Sequence, residues 1–253
     1  MNTARFFLTN TSGIKLECRI DRDLARKKQS VVIHAMGSYS DCFQSTVQPF
    51  LTNIFAAHGF ASMRINYRGH GNSEGDSGFI TTTSGLEDIQ TAIDYLKTLD
   101  WVDGIAACGV SYGGGLLLHT IASGKDTYKF LILLSPLIDM QHRFDKDPSV
   151  DVKQWAKDGF YEVEYDTGIK RRDYSLYADA ANYTPWTDAE KIKIPTIIIH
   201  GNKDETVPYE QATKLNKIIK QSQLETLEGV GHRYSGHTDK IKIILDDFLK
   251  TKK

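Results

Sequence analysis

Little in this chain suits it to a membrane, a nucleic acid or a disulfide scaffold. It has only three cysteines in 253 residues, Cys18, Cys42 and Cys108. Their odd number and wide spacing form neither a disulfide framework nor a zinc pattern, and they point to a reducing cytoplasm. The longest uninterrupted apolar run, Phe130 to Leu134, falls far short of the roughly 20 residues a membrane span needs. Met1 to Thr9 holds one Arg and a three-residue apolar run, which does not read as a secretory signal. With 31 basic against 32 acidic side chains and a formal charge of -1, there is no cationic excess to neutralise a phosphate backbone. No internal repeat or low-complexity tract occurs. What is present is ordinary globular composition, 40% apolar and 25% charged, in a chain long enough to bury its own core.

Residues 5–9, the turn Thr11-Ser12-Gly13 and residues 14–20, which alternate apolar and polar, read as a β-hairpin. Short apolar runs without alternation follow at 31–34, 60–65, 105–110, 130–134 and 196–200, with a weaker one at 224–227. Such runs suit strands buried on both faces. Between them lie helical patterns: 43–58 closing at Gly59, 86–99, 112–123 closing at Gly124, 208–220 opening on Pro208, and 239–249. Strands alternating with helices predict an α/β fold, a mostly parallel sheet with helices on both faces.

Residues 140–187 interrupt this alternation. No convincing buried strand occurs there, and nine aromatics do: Phe144, Trp155, Phe160, Tyr161, Tyr165, Tyr174, Tyr177, Tyr183 and Trp186. Two readings fit, a helical excursion packed on the sheet edge and an inserted cap over a site, since long insertions in compact domains are often lids. The cap reading divides the chain into a core of 1–139 and 188–253 and a cap of 140–187. It makes Trp155, Phe160, Tyr165 and Trp186 candidate substrate contacts.

The strongest local motif is Gly109-Val110-Ser111-Tyr112-Gly113, between a strand pattern and a helix pattern. That is the context of a nucleophile elbow, where a strained turn exposes the serine hydroxyl at the carboxyl edge of a sheet. A glycine-rich strand-to-helix turn without chemistry would carry the same letters. A serine needs a base to take its proton, and the base needs an acid to hold its tautomer. Behind such an elbow the chain order is nucleophile, acid, base. Asp204, after the 196–200 run, and His232, in Gly231-His232 after the last strand pattern, fall in that order. Asp139, also just past a strand, and Glu205 compete with Asp204. His237, His119 and His58 read as helix residues, and His34 as a brace for its own loop. A developing oxyanion needs preorganised N–H donors; Tyr112, next to the serine, and Met36, in the loop His34-Ala35-Met36-Gly37, are the candidates.

Taken together these residues resemble the α/β-hydrolase superfamily. The resemblance covers most of the chain outside 140–187. It rests on the elbow, the 34–37 loop, Asn66-Tyr67-Arg68-Gly69-His70-Gly71-Asn72-Ser73, His200-Gly201 through Asp204 with Val207-Pro208, and Gly231-His232. Within the superfamily it is similar to small cytoplasmic esterases of the cinnamoyl/feruloyl type and to serine aminopeptidase-like or monoglyceride lipase-like hydrolases. Two positions depart from the pattern: Ala35 replaces the usual Gly of the oxyanion loop, and Asn66 the usual Asp. Ser111, rather than Asp, argues against epoxide hydrolases and haloalkane dehalogenases.

The resemblance implies a carboxylesterase acting on small or aromatic acyl esters through Ser111, Asp204 and His232, with no metal or organic cofactor. Its expected partner is a small-molecule ester, in the cytoplasm, with no nucleic acid or membrane; monomer and homodimer fit equally. A thioesterase, a short-peptide peptidase and an acyltransferase are alternatives on the same fold. A ligand-binding receptor of the same fold is an alternative outside enzymes.

Overall fold

The computed structural model describes residues 1–38, 41–43, 47–165 and 168–252, without the side chain of Tyr165. Its main sheet explains why the apolar runs do not alternate. Side chains of successive strand residues point to opposite faces, and here both faces are covered. Val31, Ile33, Ala107, Leu131, Leu133 and Ile198 join one apolar layer. Val32, Ala106, Cys108, Ile132, Leu134, Ile197 and Ile199 join the other.

Eight strands build this sheet. β1 (Asn2–Thr9) and β2 (Lys15–Arg22) are the predicted hairpin, turned at Gly13, whose φ is 81°. β3 (Gln29–Ala35), β4 (Ala61–Ile65), β5 (Val102–Val110), β6 (Leu131–Leu134), β9 (Thr196–Gly201) and β10 (Ser222–Leu227) run parallel. The spatial order is β1-β2-β4-β3-β5-β6-β9-β10, with β2 antiparallel to β4.

α2 (Thr82–Lys97), α3 (Tyr112–Ala122) and α8 (Glu210–Ile218) cover one face through Ile89, Ile93, Leu116, Leu117 and Leu215. α1 (Val47–Ala57) and α9 (Thr238–Leu249) cover the other through Leu51, Phe55, Ile241 and Leu245. Two helix starts differ from the sequence reading. α2 begins at Thr82, earlier than 86, because Thr81 and Ser84 cap each other reciprocally at 2.8 and 3.1 Å. α8 begins at Glu210, so Pro208 is not its first residue; the Pro208 carbonyl instead accepts from Gln211 N–H in the preceding turn. Of the expected 43–58 helix, residues 44–46 lie outside the described residues.

Between β6 and β9, residues 140–187 leave the sheet. They form α4 (Met140–Asp145), α5 (Val152–Asp158), α6 (Ser175–Ala180), a separate antiparallel pair, β7 (Phe160–Tyr165) with β8 (Gly168–Asp173), and the first turn of α7 (Pro185–Lys191), which runs across the expected boundary at 187/188. The excursion is therefore not purely helical. The β7–β8 pair escaped the search for buried strands because most of it is solvent-facing; Arg172 is its buried residue in β8. Cross-strand partners such as Glu162 and Arg171 carry opposite charges, which stabilises an exposed ladder.

Candidate active site

Ser111 follows the last residue of β5 with φ 51° and ψ −121°, a conformation that costs a non-glycine residue about 1–3 kcal/mol. Its surroundings hold it there. Ser111 N–H donates to the Leu134 carbonyl, and its carbonyl accepts from the N–H groups of Gly114 and Leu137, all at 2.9 Å. The elbow glycines are required by space: a Cβ on Gly109 would lie 2.6 Å from Gly114 Cα, and one on Gly113 would lie 2.2 Å from the Ala35 carbonyl oxygen. That second approach also locates the 34–37 loop. Ala35, last in β3 and opposite Gly109, presses against the start of α3, and a Cβ on Gly113 would also meet the Met36 carbonyl at 2.6 Å. The alanine in place of the usual glycine is thus housed in the buried end of a strand. Tyr112 opens α3, so its N–H has no partner within the helix; its hydroxyl donates to the Thr81 carbonyl at 2.6 Å.

Register brings β5, β6 and β9 to a common edge, with Val110 opposite Leu134 and Leu134 opposite Ile199. Asp204 stands in the loop after β9 with its side chain fully buried. Its Oδ1 accepts from Thr206 N–H and Val207 N–H, both at 2.8 Å. Its Oδ2 lies 2.7 Å from His232 Nδ1 and 3.0 Å from His200 Nε2. A carboxylate offers about four lone-pair sites, and all four are engaged. Burial alone would raise the Asp204 carboxyl, but the bonds from His200 and His232 outweigh it and hold the group well below the usual carboxylate range. Facing an ionised carboxylate, His232 Nδ1 carries the proton, which leaves Nε2 as the basic nitrogen.

The competing residues make contacts of their own. Asp139 Oδ1 caps α4 through His142 N–H at 3.0 Å and Oδ2 accepts from Trp186 Nε1 at 2.9 Å. Glu205 Oε2 accepts the backbone N–H of His232 at 3.3 Å, steadying the loop rather than the ring. His237 stands at the start of α9 without a capping bond from its side chain, its carbonyl accepting from Ile241 N–H at 3.3 Å, and His58 bonds Asp246 of the same helix at 2.9 Å. His34 is fully buried, and its Nδ1 lies 2.6 Å from Gln48 Oε1 of α1 rather than bonding its own loop. Burial pushes its imidazole down to about 4. Arg68 pairs with Glu87 and Asp88, a structural duty. Asn66 donates from Nδ2 to the carboxylates of Glu17 at 2.9 Å and Asp41 at 3.2 Å. An aspartate there would face two like charges, which accounts for the departure from the usual residue.

A cavity of about 360 Å³ opens alongside α3, lined by Tyr112, Leu116, His119, Leu137, Ile138 and Met140 and, from the excursion, by Ala180, Tyr183 and Trp186 among others; Ser111, Asp204, His232 and Met36 are not among its lining residues. Trp186, one of the four aromatics proposed as substrate contacts, lines this cavity. Trp155 and Phe160 are not among the lining residues. Trp155 is 2% exposed, packs edge-on against Phe144, Tyr161 and Tyr174 and donates from Nε1 to the Arg172 carbonyl at 3.1 Å. Phe160 is 38% exposed under the Arg171 guanidinium, 4.0 Å from its ring centre. The Tyr165 side chain lies outside the described residues. His119, expected as a plain helix residue, lines the cavity with Nδ1 2.7 Å from Asp188 Oδ2.

His200 was not foreseen as part of the site. The available signal was a histidine ending an otherwise β-branched buried run, four residues before the acid. Among the described residues no cluster of three or more His, Cys, Asp or Glu is placed to hold a metal ion, and no helix is long and apolar enough to cross a membrane.

Residues 46–250 match the prolyl oligopeptidase family, well over half of the sequence. The chain belongs to the prolyl oligopeptidase family. Solved structures place this family member in the α/β-hydrolase fold. Est1E from Butyrivibrio proteoclasticus, solved with ferulic acid bound, matches with TM-score 0.87 at 25% identity over 98% of both chains. Acylamino-acid-releasing enzyme from Sus scrofa is 27% identical over 172 residues, which are 64% of this chain and 22% of that protein. The chain therefore spans about a fifth of the length of that relative. The AB hydrolase superfamily protein YisY of Bacillus subtilis is 25% identical over 237 residues, 78% of this chain and 84% of that protein.

Proposed function

We propose that this family member is a serine carboxylesterase for small or aromatic acyl groups. The observation that carries the reading is the 2.7 Å contact between His232 Nδ1 and the buried Asp204 carboxylate, at the sheet edge where Ser111 is held at φ 51°. His232 Nε2 takes the Ser111 hydroxyl proton as Oγ attacks the ester carbonyl carbon. The Met36 and Tyr112 N–H groups receive the oxyanion of the tetrahedral intermediate. Its collapse releases the alcohol, protonated by His232, and leaves Ser111 acylated. Water, deprotonated by His232, then attacks the acyl carbon and frees the acid and Ser111.

Residues 140–187 act as a cap whose Trp186, Tyr183 and Met140 form one wall of the acyl pocket. The cavity of about 360 Å³ lies at the small end of the range for ligand pockets, about 300–1,000 Å³. This favours short or aromatic acyl groups over long chains. The relation to Est1E, which binds ferulic acid and matches over 98% of both chains, supports the ester reading more broadly than the relation to acylamino-acid-releasing enzyme, confined to 22% of that protein, supports a peptidase. The free, buried state of Cys18, Cys42 and Cys108 accords with a cytoplasmic location.

The test is a substrate panel with a fluorophosphonate probe. p-Nitrophenyl esters from acetate to palmitate, a feruloyl ester, a thioester and an N-acetyl dipeptide are compared. The expected result is probe labelling at Ser111 and fastest turnover of short or aromatic esters. Peptide cleavage outrunning every ester would move the assignment to a peptidase. No labelling and no turnover would leave a binding protein.

A further inference from the structure

We infer that His200 is a positioning residue for the Asp204–His232 pair, its Nε2–H filling the second lone pair of the Asp204 oxygen that His232 uses. The inference rests on the hydrolase reading above. His200 is the penultimate residue of β9 and wholly buried. Its Nε2 lies 3.0 Å from Asp204 Oδ2 and 3.3 Å from the Val207 carbonyl oxygen. Both are acceptors, so Nε2 bears the proton. Nδ1 is buried without a hydrogen-bond partner among the described residues. A proton there would be an orphan donor in a dry site, so the ring is neutral and its tautomer is fixed.

An unpaired buried ring nitrogen is itself unfavourable, and an apolar side chain would avoid it. The compensation is at Asp204. With the Thr206 and Val207 N–H groups on Oδ1 and two imidazoles on Oδ2, the carboxylate cannot rotate without breaking a bond. The three other donors also lower its affinity for a proton, so the shared proton stays on His232 Nδ1. The second donor draws charge from the oxygen that faces His232. The imidazolium is then stabilised less than by a singly bonded carboxylate, and His232 gives up its proton more readily when the leaving group needs it.

Four neighbouring titratable or charged groups have partners other than the two rings and the carboxylate. Glu205 accepts the His232 backbone N–H. Tyr209 meets the His200 ring edge-on, with centres 5.6 Å apart, and its hydroxyl bonds Thr226. The Tyr234 hydroxyl donates to the Ile199 carbonyl. Arg143 Nε donates to the Thr206 carbonyl.

The experiment compares wild type, His200→Leu and His200→Gln, whose amide N–H reaches toward the place of Nε2. The pH profile of kcat/KM is read on p-nitrophenyl acetate, with thermal midpoints alongside. His200→Leu is expected to lower the plateau about tenfold or more, mainly in kcat, and to move the profile's midpoint up by about half a pH unit or more. His200→Gln should restore the midpoint and bring the rate back to within about threefold of wild type. A folded Leu variant with the wild-type profile would overturn the inference. So would equal losses in both variants with an unmoved midpoint, the signature of packing alone. Should the Leu variant not fold, imidazole ¹⁵N spectra of the wild-type protein decide. A His200 protonated at Nε2 and unchanged from pH 5 to 9 is expected; one protonated at Nδ1 sinks it. Activity surviving Ser111→Ala would instead sink the hydrolase reading, separately from the tautomer result.

Discussion

The elbow at 109–113 and the excursion at 140–187 meet at one cavity but are built on different physics. Around Ser111 the backbone leaves almost no freedom. Two absent Cβ atoms and three hydrogen bonds at 2.9 Å fix a strained residue. Ser135, at φ 40°, and Tyr234, at φ 55°, share that edge and are likewise strained; their side chains bond each other at 2.8 Å. The excursion is organised instead by side chains, an aromatic cluster of Phe144, Trp155, Tyr161, Tyr174 and Tyr177 beneath a mostly exposed strand pair. Hard steric constraint suits the place where chemistry requires fixed geometry. Side-chain packing, which tolerates exchange of residues, would suit the substrate-selecting wall proposed above.

The largest effects should come from the rigid side of this contrast. Ser111→Ala and His232→Ala should each lower kcat by about 10⁴-fold or more, with the double variant losing little beyond either. Asp204→Asn should cost somewhat less, and Asp139→Asn should leave turnover near wild type. A dead Asp139→Asn beside an active Asp204→Asn, in steady-state kinetics, would transfer the acid's role to Asp139.

On the side-chain-packed side the first expected effect is on stability. Trp155→Ala should destabilise the fold by about 3 kcal/mol or more, read from urea denaturation. Its activity losses should be uniform across acyl groups. An acyl-dependent change would bring Trp155 into the substrate wall and blur the contrast.

The core should also be the more acid-sensitive part. Unfolded, a histidine titrates near 6.5, whereas burial holds folded His34 down to about 4. The unfolded chain therefore binds the proton first. His34's contribution is fully present above about 6.5 and is lost as pH falls toward about 4, some ~3 kcal/mol in all. His70 and His119, also pushed down by burial, act in the same direction. Denaturation midpoints at pH 7 and 4.5 should show the loss, and His34→Leu should flatten part of it.

The smallest effect is the most informative about the cap. Trp186→Ala should change the kcat/KM ratio between acetyl and bulkier esters by about tenfold, roughly 1.4 kcal/mol of differential transition-state binding. Equal losses for every ester, accompanied by lower thermal stability, would mean that the excursion supports the fold without selecting substrate.

Much of the sheet was legible because a strand buried on both faces must be apolar at every position. The runs at 31–34, 105–110 and 196–200 fall within observed strands, and the run at 130–134 does so from Leu131 on. The exposed β7–β8 pair was not legible by that rule, since its stability comes from cross-strand partners rather than from burial. In the site, the two residues taken as acid and base from chain order, Asp204 and His232, lie 2.7 Å apart. The four aromatics assigned to the pocket did not behave alike: Trp186 lines it, while Trp155 and Phe160 do not.

The sequence by itself determined where the strands run, that Ser111 sits in an elbow and in what order a nucleophile, an acid and a base could follow. These are local matters: periodicity, glycine where a Cβ has no room, and loops at strand ends. Only the tertiary structure decided that Asp204 rather than Asp139 faces His232, that His200 shares its oxygen, and which rings turn toward the cavity. Those outcomes depend on where a side chain points after residues far apart in the chain have packed, and no local pattern encodes that direction.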